Sequence, residues 1–243
     1  MKATVDPRSL RLIALDLDGT LVQHKCCLEA AARDVLDALG GRYRLVINGA
    51  GPADRIDAQL GHYPIDILGN YGMQFLRRDS TGLHRLCDRR HACDRASVSA
   101  RVEQLRREAG LRFCAGAPVV FHETGCISIP LIGAEASLLR KLAFDPDYRV
   151  RNALFPRIQS LFPEYSVFIA GTTSFDMVPR PYDKYHALDE YCRSVGFAHG
   201  EVLAVGDDYG ERGNDYPLCR SDFPFLPIDD YRALPERLAF LLA

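Results

Sequence analysis

The chain has 243 residues, 47% of them hydrophobic, and carries 30 basic against 32 acidic side chains, for a formal charge of -2. This balance excludes a global field that would draw the protein onto nucleic acid or an anionic membrane, so we expect neither as a partner. The apolar run before Asp16 is too short for a signal peptide, and no later run approaches about 20 apolar residues. We therefore expect a cytoplasmic protein that acts on a small molecule.

The eight cysteines show no C-x-x-C spacing, although Cys26 and Cys27 are adjacent. This pattern argues against a zinc cluster and predicts reduced thiols.

The first third of the chain alternates short apolar runs with helical patterns. Residues 12–15 are continuously apolar, as in a strand buried on both faces. A helix follows that ends at Gly40 and Gly41, and its predicted apolar face comprises Leu28, Ala31, Ala32, Val35, Leu36 and Leu39. Residues 44–49 predict a second strand, 53–61 a helix and 65–68 a third strand. This alternation of three strands with two helices indicates an α/β fold with a doubly wound parallel sheet.

The middle of the chain has a different pattern. Between about residues 86 and 178 we predict a helix over 97–110, a hairpin of 118–124 with 125–133, one or two helices, and a strand pair over 165–171 and 173–179. This α+β pattern with antiparallel hairpins indicates a separate inserted domain. We assign residues 1–84 and 180–243 to a core domain and 85–179 to the insertion.

The core pattern returns with a helix over 184–196, a strand over 202–205, a polar loop over 206–215 and a C-terminal helix. Residues 77–112 hold ten arginines against five acids, a net of +5. Such a stretch is more often a solvated helical surface than an anion-binding face.

Two carboxylates stand at the end of the first strand. Asp16 and Asp18 are two residues apart, so in a strand their side chains point the same way, beyond the carboxyl edge of the sheet where ligands bind. Gly19 permits a sharp departure of the chain, and Thr20 offers a hydroxyl and a backbone amide to a phosphate. Taken alone, the pair is equally compatible with a helix cap or a surface loop.

Further polar residues follow other predicted strands or open a helix. They are Asn48 with Gly49, Lys184, and the group Asp207, Asp208, Asn214 and Asp215. Each has a simple alternative as a turn, a surface cation or a solvated loop. Lysine is scarce, with four residues against 26 arginines, so Lys184 is mildly informative.

This set of motifs resembles the haloacid dehalogenase-like (HAD) superfamily, with "DLDGT", "ING", Lys184 and "GDDYGERGND" as its four motifs in order. The insertion between the second and third motifs is similar to that superfamily's large α/β (type IIB) cap. Within the superfamily the chain most resembles the eukaryotic-type phosphomannomutases, on "FIAGTTSFDMVPRPYDKYHAL" and "GDDYGERGNDYPL".

The resemblance implies a phosphoryl transfer through an aspartyl-phosphate. Asp16 would be the nucleophile, and Asp18 the general acid and base, which requires a raised pKa in the closed site. Mg²⁺ would be held by Asp16, the backbone carbonyl of Asp18 and Asp207, with Lys184 as a fixed charge. Asn48 would donate where relatives usually have serine or threonine. The residues implied to support the metal site and its loop are Asp208, Asn214 and Asp215. The residues implied to bind the substrate are Thr20, Gly49, Lys141, Ser174 and Asp176.

The choice between phosphatase and mutase depends on cap cations, because a mutase must also grip a distal phosphate. Glu123 and Ala134 stand where phosphomannomutases carry arginines. Lys141 with Arg140 lies near a third such position, and the remaining candidates to compensate are Arg149, Arg151 and Arg157. We expect a Mg²⁺-dependent sugar-phosphate phosphatase. A mutase and a catalytically inactive sugar-phosphate-binding module are the alternatives. Caps of such proteins can form homodimers, but no periodicity here identifies an interface.

Overall fold

The computed structural model describes residues 6–243, which form two compact units. The core unit consists of the described residues up to Arg89 together with Tyr182–Ala243, and the inserted unit is Arg90–Pro181. The boundaries expected from the sequence lay a few residues earlier at both ends.

Residues 6–243 form eleven strands, numbered in chain order: β1 (Leu12–Leu15), β2 (Arg44–Asn48), β3 (Asp66–Gly69), β4 (Gln74–Asp79), β5 (Gly82–Asp88), β6 (Val120–Phe121), β7 (Ile127–Pro130), β8 (Tyr165–Ala170), β9 (Ser174–Pro179), β10 (Val202–Gly206) and β11 (Phe225–Pro227).

The same residues form eight α-helices: α1 (Ala30–Gly40), α2 (Ala53–Gln59), α3 (Arg95–Glu108), α4 (Leu138–Phe144), α5 (Arg149–Leu161), α6 (Lys184–Val195), α7 (Tyr216–Arg220) and α8 (Leu234–Leu238). None of these helices has both the length and the hydropathy needed to cross a bilayer.

The core unit is built on a seven-stranded sheet in the order β11-β10-β1-β2-β3-β4-β5. The five strands from β11 to β3 are parallel, and β4 and β5 extend the sheet as an antiparallel hairpin. All four residues of β1 are buried, as expected for a central strand covered on both faces. The α/β class with a parallel-dominated sheet is confirmed.

Side chains of β1 alternate between two apolar clusters on opposite faces of the sheet. Ile13 and Leu15 pack in one cluster with Leu36 of α1, and Leu12 and Ala14 pack in the other, which includes residues of α6. Helices therefore cover both faces, as the doubly wound pattern predicts.

The apolar face of α1 is narrower than expected. Its buried residues are Val35, Leu36 and Leu39, whereas Ala31 is exposed and Leu28 precedes the helix. Leu28 and Ala32 are partly buried against the same cluster, so α1 packs mainly through its last two turns.

The β4–β5 hairpin and β11 were not predicted. Arg77, Arg78 and Arg85 lie in this hairpin, and the interpretation of residues 77–112 as a solvated helical surface is wrong for them. Arg78 pairs with buried Asp57, with Nη2 2.8 Å from Oδ1. The strands lie at the outer end of the sheet, where charged side chains are tolerated and the alternating apolar pattern is weak.

The inserted unit contains a four-stranded antiparallel sheet in the order β6-β7-β9-β8. Phe175 and Met177 of β9 are buried in a cluster with residues of α3 and α5. Ser174 and Asp176 alternate with them and lie on the other face, which is half-buried.

A buried ion pair ties α5 to the segment before it. Arg151 Nε lies 2.8 Å from Asp145 Oδ2, and both side chains are 1% exposed. The Asp145 carboxylate also accepts the backbone N–H groups of Val150 and Arg151. Burial alone would raise the pKa of Asp145, but these hydrogen bonds hold it below its ordinary value.

The two points where the chain passes between the units lie close together within the core unit. The Arg89 guanidinium lies 5.6 Å from the centre of the Tyr182 ring, and it also pairs with Glu190 of α6.

We expect Asp145→Asn to lower the free energy of unfolding by about 3 kcal/mol, because it leaves the Arg151 guanidinium buried without its counter-charge. The measurement is urea unfolding at neutral pH. The matched control is Asp147→Asn, whose partner Arg149 is exposed, and its cost should stay below about 1 kcal/mol. Equal losses in the two variants would contradict the stabilising role of the buried pair.

Candidate active site

The carboxyl ends of β1 and β10 meet, because the two strands are parallel neighbours. Asp16 follows β1 directly, and its backbone N–H donates to the Val205 carbonyl oxygen at 2.9 Å. Asp207 follows β10 directly. Sheet pairing therefore places these two aspartates, distant in sequence, at one edge.

Lys184 lies between two of the carboxylates. It is the first residue of α6 and is 0% exposed, and its Nζ lies 2.7 Å from Asp16 Oδ1 and 2.7 Å from Asp215 Oδ1. Burial alone would lower the pKa of Lys184, but the two carboxylates raise it above its ordinary value. The lysine is a permanent cation.

Asp16, Asp207 and Asp215 present carboxylate oxygens that lie within 4.8 Å of one another. Burial, and next the charge of Asp16, raises the pKa of Asp207 to about 8. Hard divalent cations prefer carboxylate oxygens, and a cation would relieve this repulsion. The donor set fits such an ion. Asp16 and Asp207 were both predicted as ligands, whereas Asp215 was predicted only as support.

The turn after β1 approaches Asp207 so closely that only glycine fits. Gly19 has φ +100°, and a Cβ at this position would overlap the Asp207 carboxylate. Thr20, which is fully buried, donates its hydroxyl to Asp207 Oδ1 at 2.8 Å. The hydroxyl expected to meet a phosphate is thus engaged in positioning a candidate metal ligand.

The loop after β10 is closed by its own side chains. The Asp208 N–H donates to Asp215 Oδ2 at 3.1 Å, and the Asn214 N–H donates to Asp208 Oδ2 at 3.1 Å. Gly206 is in close contact with the Asp215 carboxylate. Asp208 and Asn214 therefore hold the loop that carries Asp207 and Asp215.

Asp18 is held apart from the group of three carboxylates. Its carboxylate accepts hydrogen bonds from the Lys25 N–H at 2.7 Å, from Gln59 Nε2 at 2.8 Å and from Arg55 Nη2 at 3.1 Å. Although burial raises the pKa of Asp18, these donors leave it below its ordinary value. The raised pKa that the sequence analysis required is not present in this arrangement.

Arg55 and Gln59 were missed as site residues. They lie four residues apart on α2, and Arg55 Nη1 donates to Gln59 Oε1 at 2.6 Å. Their spacing on one face of the helix was the signal available in the sequence.

Asn48 and Gly49 were expected to contact a substrate, but their polar groups form hydrogen bonds within the core unit. Asn48 Nδ2 donates to the Lys184 carbonyl oxygen at 2.9 Å, and Asn48 Oδ1 is buried without a partner. The Gly49 N–H donates to the Leu68 carbonyl oxygen at 2.8 Å. Asn48 thus fixes the first turn of α6, and its unsatisfied atom is an acceptor rather than a donor.

In the inserted unit, Asp176 belongs to a hydrogen-bonded chain that sequence reasoning missed. Asp176 Oδ1 accepts from Ser128 Oγ at 2.7 Å, and His122 Nε2 lies 3.2 Å from the same Oγ. Ser174 lies two residues from Asp176 in β9 and shares its face. Lys141 donates from Nζ to the Ala134 carbonyl oxygen at 2.9 Å. The signal for Ser128 was its alternation with the apolar residues of β7.

The three arginines considered as substitutes for the family's cap cations are all paired within the inserted unit. Arg149 pairs with Asp147 at 2.7 Å, Arg157 with Glu108 at 2.8 Å, and Arg151 with buried Asp145. Glu123 pairs with Arg90 at 3.1 Å.

Comparison with solved structures finds clear likeness of fold. An IMP-bound, N-terminally truncated IMP-nucleotidase from Plasmodium falciparum superposes with a TM-score of 0.74 at 14% identity, over 96% of this chain and 68% of that one. A haloacid dehalogenase-like hydrolase from Bacteroides thetaiotaomicron gives 0.53 at 17% identity, over 95% and 98%. No family model and no curated protein matches the sequence. At these identities the likeness shows the fold alone, which this chain shares with both proteins.

We expect Gly19→Ala to displace Asp207 and to weaken divalent-cation binding by at least about tenfold, because the added Cβ occupies the space of the carboxylate. Isothermal titration with Mg²⁺ measures this. Gly82→Ala is the matched control, since Gly82 also has a positive φ, +129°, but has open space around it. Equal affinities in the two variants would show that the close approach does not position the ligand.

Cation binding should release protons at neutral pH. A cation binds the ionised carboxylate, and the pKa of Asp207 is raised to about 8 in the metal-free protein, so affinity should rise from about pH 6 to about pH 8 and then level off. Titration calorimetry in buffers of different ionisation enthalpy counts the protons. Asp207→Asn should reduce the release, leaving the part that comes from Asp215, whose pKa burial raises to about 7. An affinity of the unaltered protein that does not depend on pH would contradict the expectation.

Proposed function

We propose that this protein is a Mg²⁺-dependent phosphatase of a small phosphorylated metabolite, most simply a sugar phosphate. The observation that carries the proposal is the buried lysine held between Asp16 and Asp215, beside the further carboxylate of Asp207. Burying an ammonium group between carboxylates costs desolvation free energy, and phosphoryl transfer is a reaction that uses such a fixed positive charge.

Asp16 is the proposed nucleophile. Lys184 contacts its Oδ1, which fixes the carboxylate and leaves Oδ2 to attack phosphorus and form an aspartyl-phosphate. Because an ordinary aspartate is ionised at neutral pH, no base is needed for this step. Asp215 then serves as the counter-ion that keeps Lys184 in place.

Asp16 and Asp207, with the backbone carbonyl of Asp18, would hold Mg²⁺. When bound, the ion supplies positive charge that offsets the charge on the phosphoryl oxygens. Thr20 keeps Asp207 oriented through its hydroxyl, and its backbone amide is the group we propose for the phosphate.

Asp18 is the proposed general acid and base. It would protonate the leaving oxygen and then take a proton from the attacking water. In the arrangement described here Asp18 is ionised and bound by Gln59 and Arg55, which suits the second step. The first step requires Asp18 to leave these donors and take up a proton.

The inserted unit is the proposed specificity cap, of the type IIB kind. Its half-buried sheet face carries Ser174, Asp176, Ser128 and His122, an alternation of donors and acceptors suited to sugar hydroxyl groups. The IMP bound by the structural neighbour from Plasmodium falciparum is a nucleotide that contains a phosphorylated ribose. This supports a sugar-containing substrate. We propose a cytoplasmic location for the enzyme.

A phosphomannomutase-like mutase is disfavoured by the pairing of cap arginines. Arg149, Arg151 and Arg157 each hold a carboxylate, so a distal phosphate would have to compete with it at those positions. Of the other two cap cations considered, Lys141 donates to a carbonyl oxygen, and Arg140 alone would grip a distal phosphate less firmly than a cluster of arginines does. Water is then the simplest second acceptor of the phosphoryl group.

The test is phosphorus NMR with Mg²⁺ and a panel of mannose 1-phosphate, glucose 6-phosphate, ribose 5-phosphate and IMP, with glucose 1,6-bisphosphate added in a parallel set. We expect release of inorganic phosphate, at least about a thousandfold slower in Asp16→Asn because the nucleophile is lost. Asp54→Asn is the control, since Asp54 is exposed and pairs with Arg85, and it should keep full activity.

A growing 6-phosphate signal that requires the bisphosphate would identify a mutase. Phosphate binding without turnover, equal in the protein and in Asp16→Asn, would identify a binding module.

A further inference from the structure

A pocket of about 490 Å³ lies within the inserted unit. It is bounded by the segment after α3, by the start of the loop after β7 and by α4, through side chains that include Leu111, Arg112, Phe113, Ile132, Arg140 and Phe144. This volume is in the range of small-molecule sites. None of these residues belongs to the four core motifs, and Arg140 is the one that the sequence analysis considered as a cap cation.

The wall of the pocket is built by a buried arginine. Arg106 is 6% exposed, and its guanidinium donates to the carbonyl oxygens of Leu111 at 3.1 Å, Phe113 at 2.8 Å and Leu131 at 2.7 Å. These bonds fix the segment that carries Phe113 against the end of β7. The pocket is therefore preformed, and a ligand would not have to order its wall.

Apolar side chains are exposed both in the pocket and beside it. Phe113, which lines the pocket, is 45% exposed. Beside the pocket, α4 has no buried residue, and its Leu138 and Leu142 are 69% and 52% exposed. Exposing these apolar side chains to water costs free energy, and an apolar ligand that covered them would recover part of it.

Two guanidinium groups border this apolar surface. The Arg140 guanidinium lies 4.5 Å from the centre of the Phe113 ring, and Arg112 precedes Phe113 in the chain. Within residues 6–243, neither arginine forms an ion pair with a carboxylate. This contrasts with Arg149, Arg151 and Arg157 of the same unit. The charge at the pocket is positive and uncompensated, so its complement is an anion.

We propose that this pocket is a second ligand site that binds an amphipathic organic anion, with a carboxylate, sulfonate or phosphate head and an apolar body of aromatic or alkyl character. The head lies between Arg112 and Arg140, which can each offer paired N–H donors to it. The body lies against Phe113, Ile132 and Phe144.

The probe for the test is 8-anilinonaphthalene-1-sulfonate, which has an aromatic body and an anionic head and fluoresces in apolar surroundings. We expect saturable binding of one probe per chain. Decanoate should displace it, whereas decyltrimethylammonium, which has the same chain length and the opposite charge, should not.

The variants separate this pocket from general hydrophobic binding. Arg140→Gln should weaken the binding of the probe and of decanoate by about tenfold, because one charge-assisted hydrogen bond is lost. The double variant with Arg112→Gln and Arg140→Gln should weaken their binding further. Arg107→Gln, an exposed arginine of α3 outside the pocket, is the charge-matched control and should bind as the unaltered protein does. Since Arg112 and Arg140 are exposed, their substitution should leave the melting temperature unchanged.

Asp16→Asn should bind the probe normally, and adding Mg²⁺ should not change how inorganic phosphate competes with the probe. Displacement by phosphate that requires Mg²⁺ and is lost in Asp16→Asn would place the probe at the carboxylate site and overturn the proposal. Equal weakening by Arg107→Gln and Arg140→Gln, or displacement by the cationic amphiphile, would also overturn it. Leu139 of α4 is 80% exposed. A dimer that binds no probe and that Leu139→Glu converts to monomers would overturn the proposal as well, since a second copy would then be the occupant of this face.

Discussion

The buried ammonium of Lys184 is the interaction on which the rest of the core site depends. Asp16, Asp207 and Asp215 lie too close together for all of them to be ionised away from water without a cation among them. Lys184 supplies one positive charge from inside the fold, between Asp16 and Asp215. Its position is fixed in turn by the Asn48 amide, which holds the carbonyl oxygen of the same residue.

Close backbone approach is the second constraint. Gly19 and Gly206 each stand where a side chain would collide with a carboxylate, of Asp207 and Asp215 respectively. The electrostatics of the site therefore rest on the absence of side chains at these two positions. This explains in terms of space why the turn after β1 and the end of β10 both have glycine, and Gly19 also has a positive φ that favours glycine.

Sequence patterns predicted the part of the site that sheet topology dictates. Asp16 and Asp207 could be placed together because strands that pair in parallel end at one edge. The hydrogen bonds of Asp18 with Arg55 and Gln59 could not be predicted from the sequence. A helix pattern shows which residues share a face of α2, but it does not show which side chains that face contacts. The β4–β5 hairpin was missed for a related reason. Its arginines lie at the outer end of the sheet, where charge does not disturb a core.

The closeness of Arg89 and Tyr182 has a consequence for how such a protein changes over time. The insertion of about ninety residues leaves and re-enters the core at two points that almost touch. A segment joined in this way can be lengthened, shortened or exchanged by recombination without moving β1, β10 or α6. The three carboxylates and the lysine of the core unit can therefore be inherited unchanged while the inserted unit is replaced as a single block.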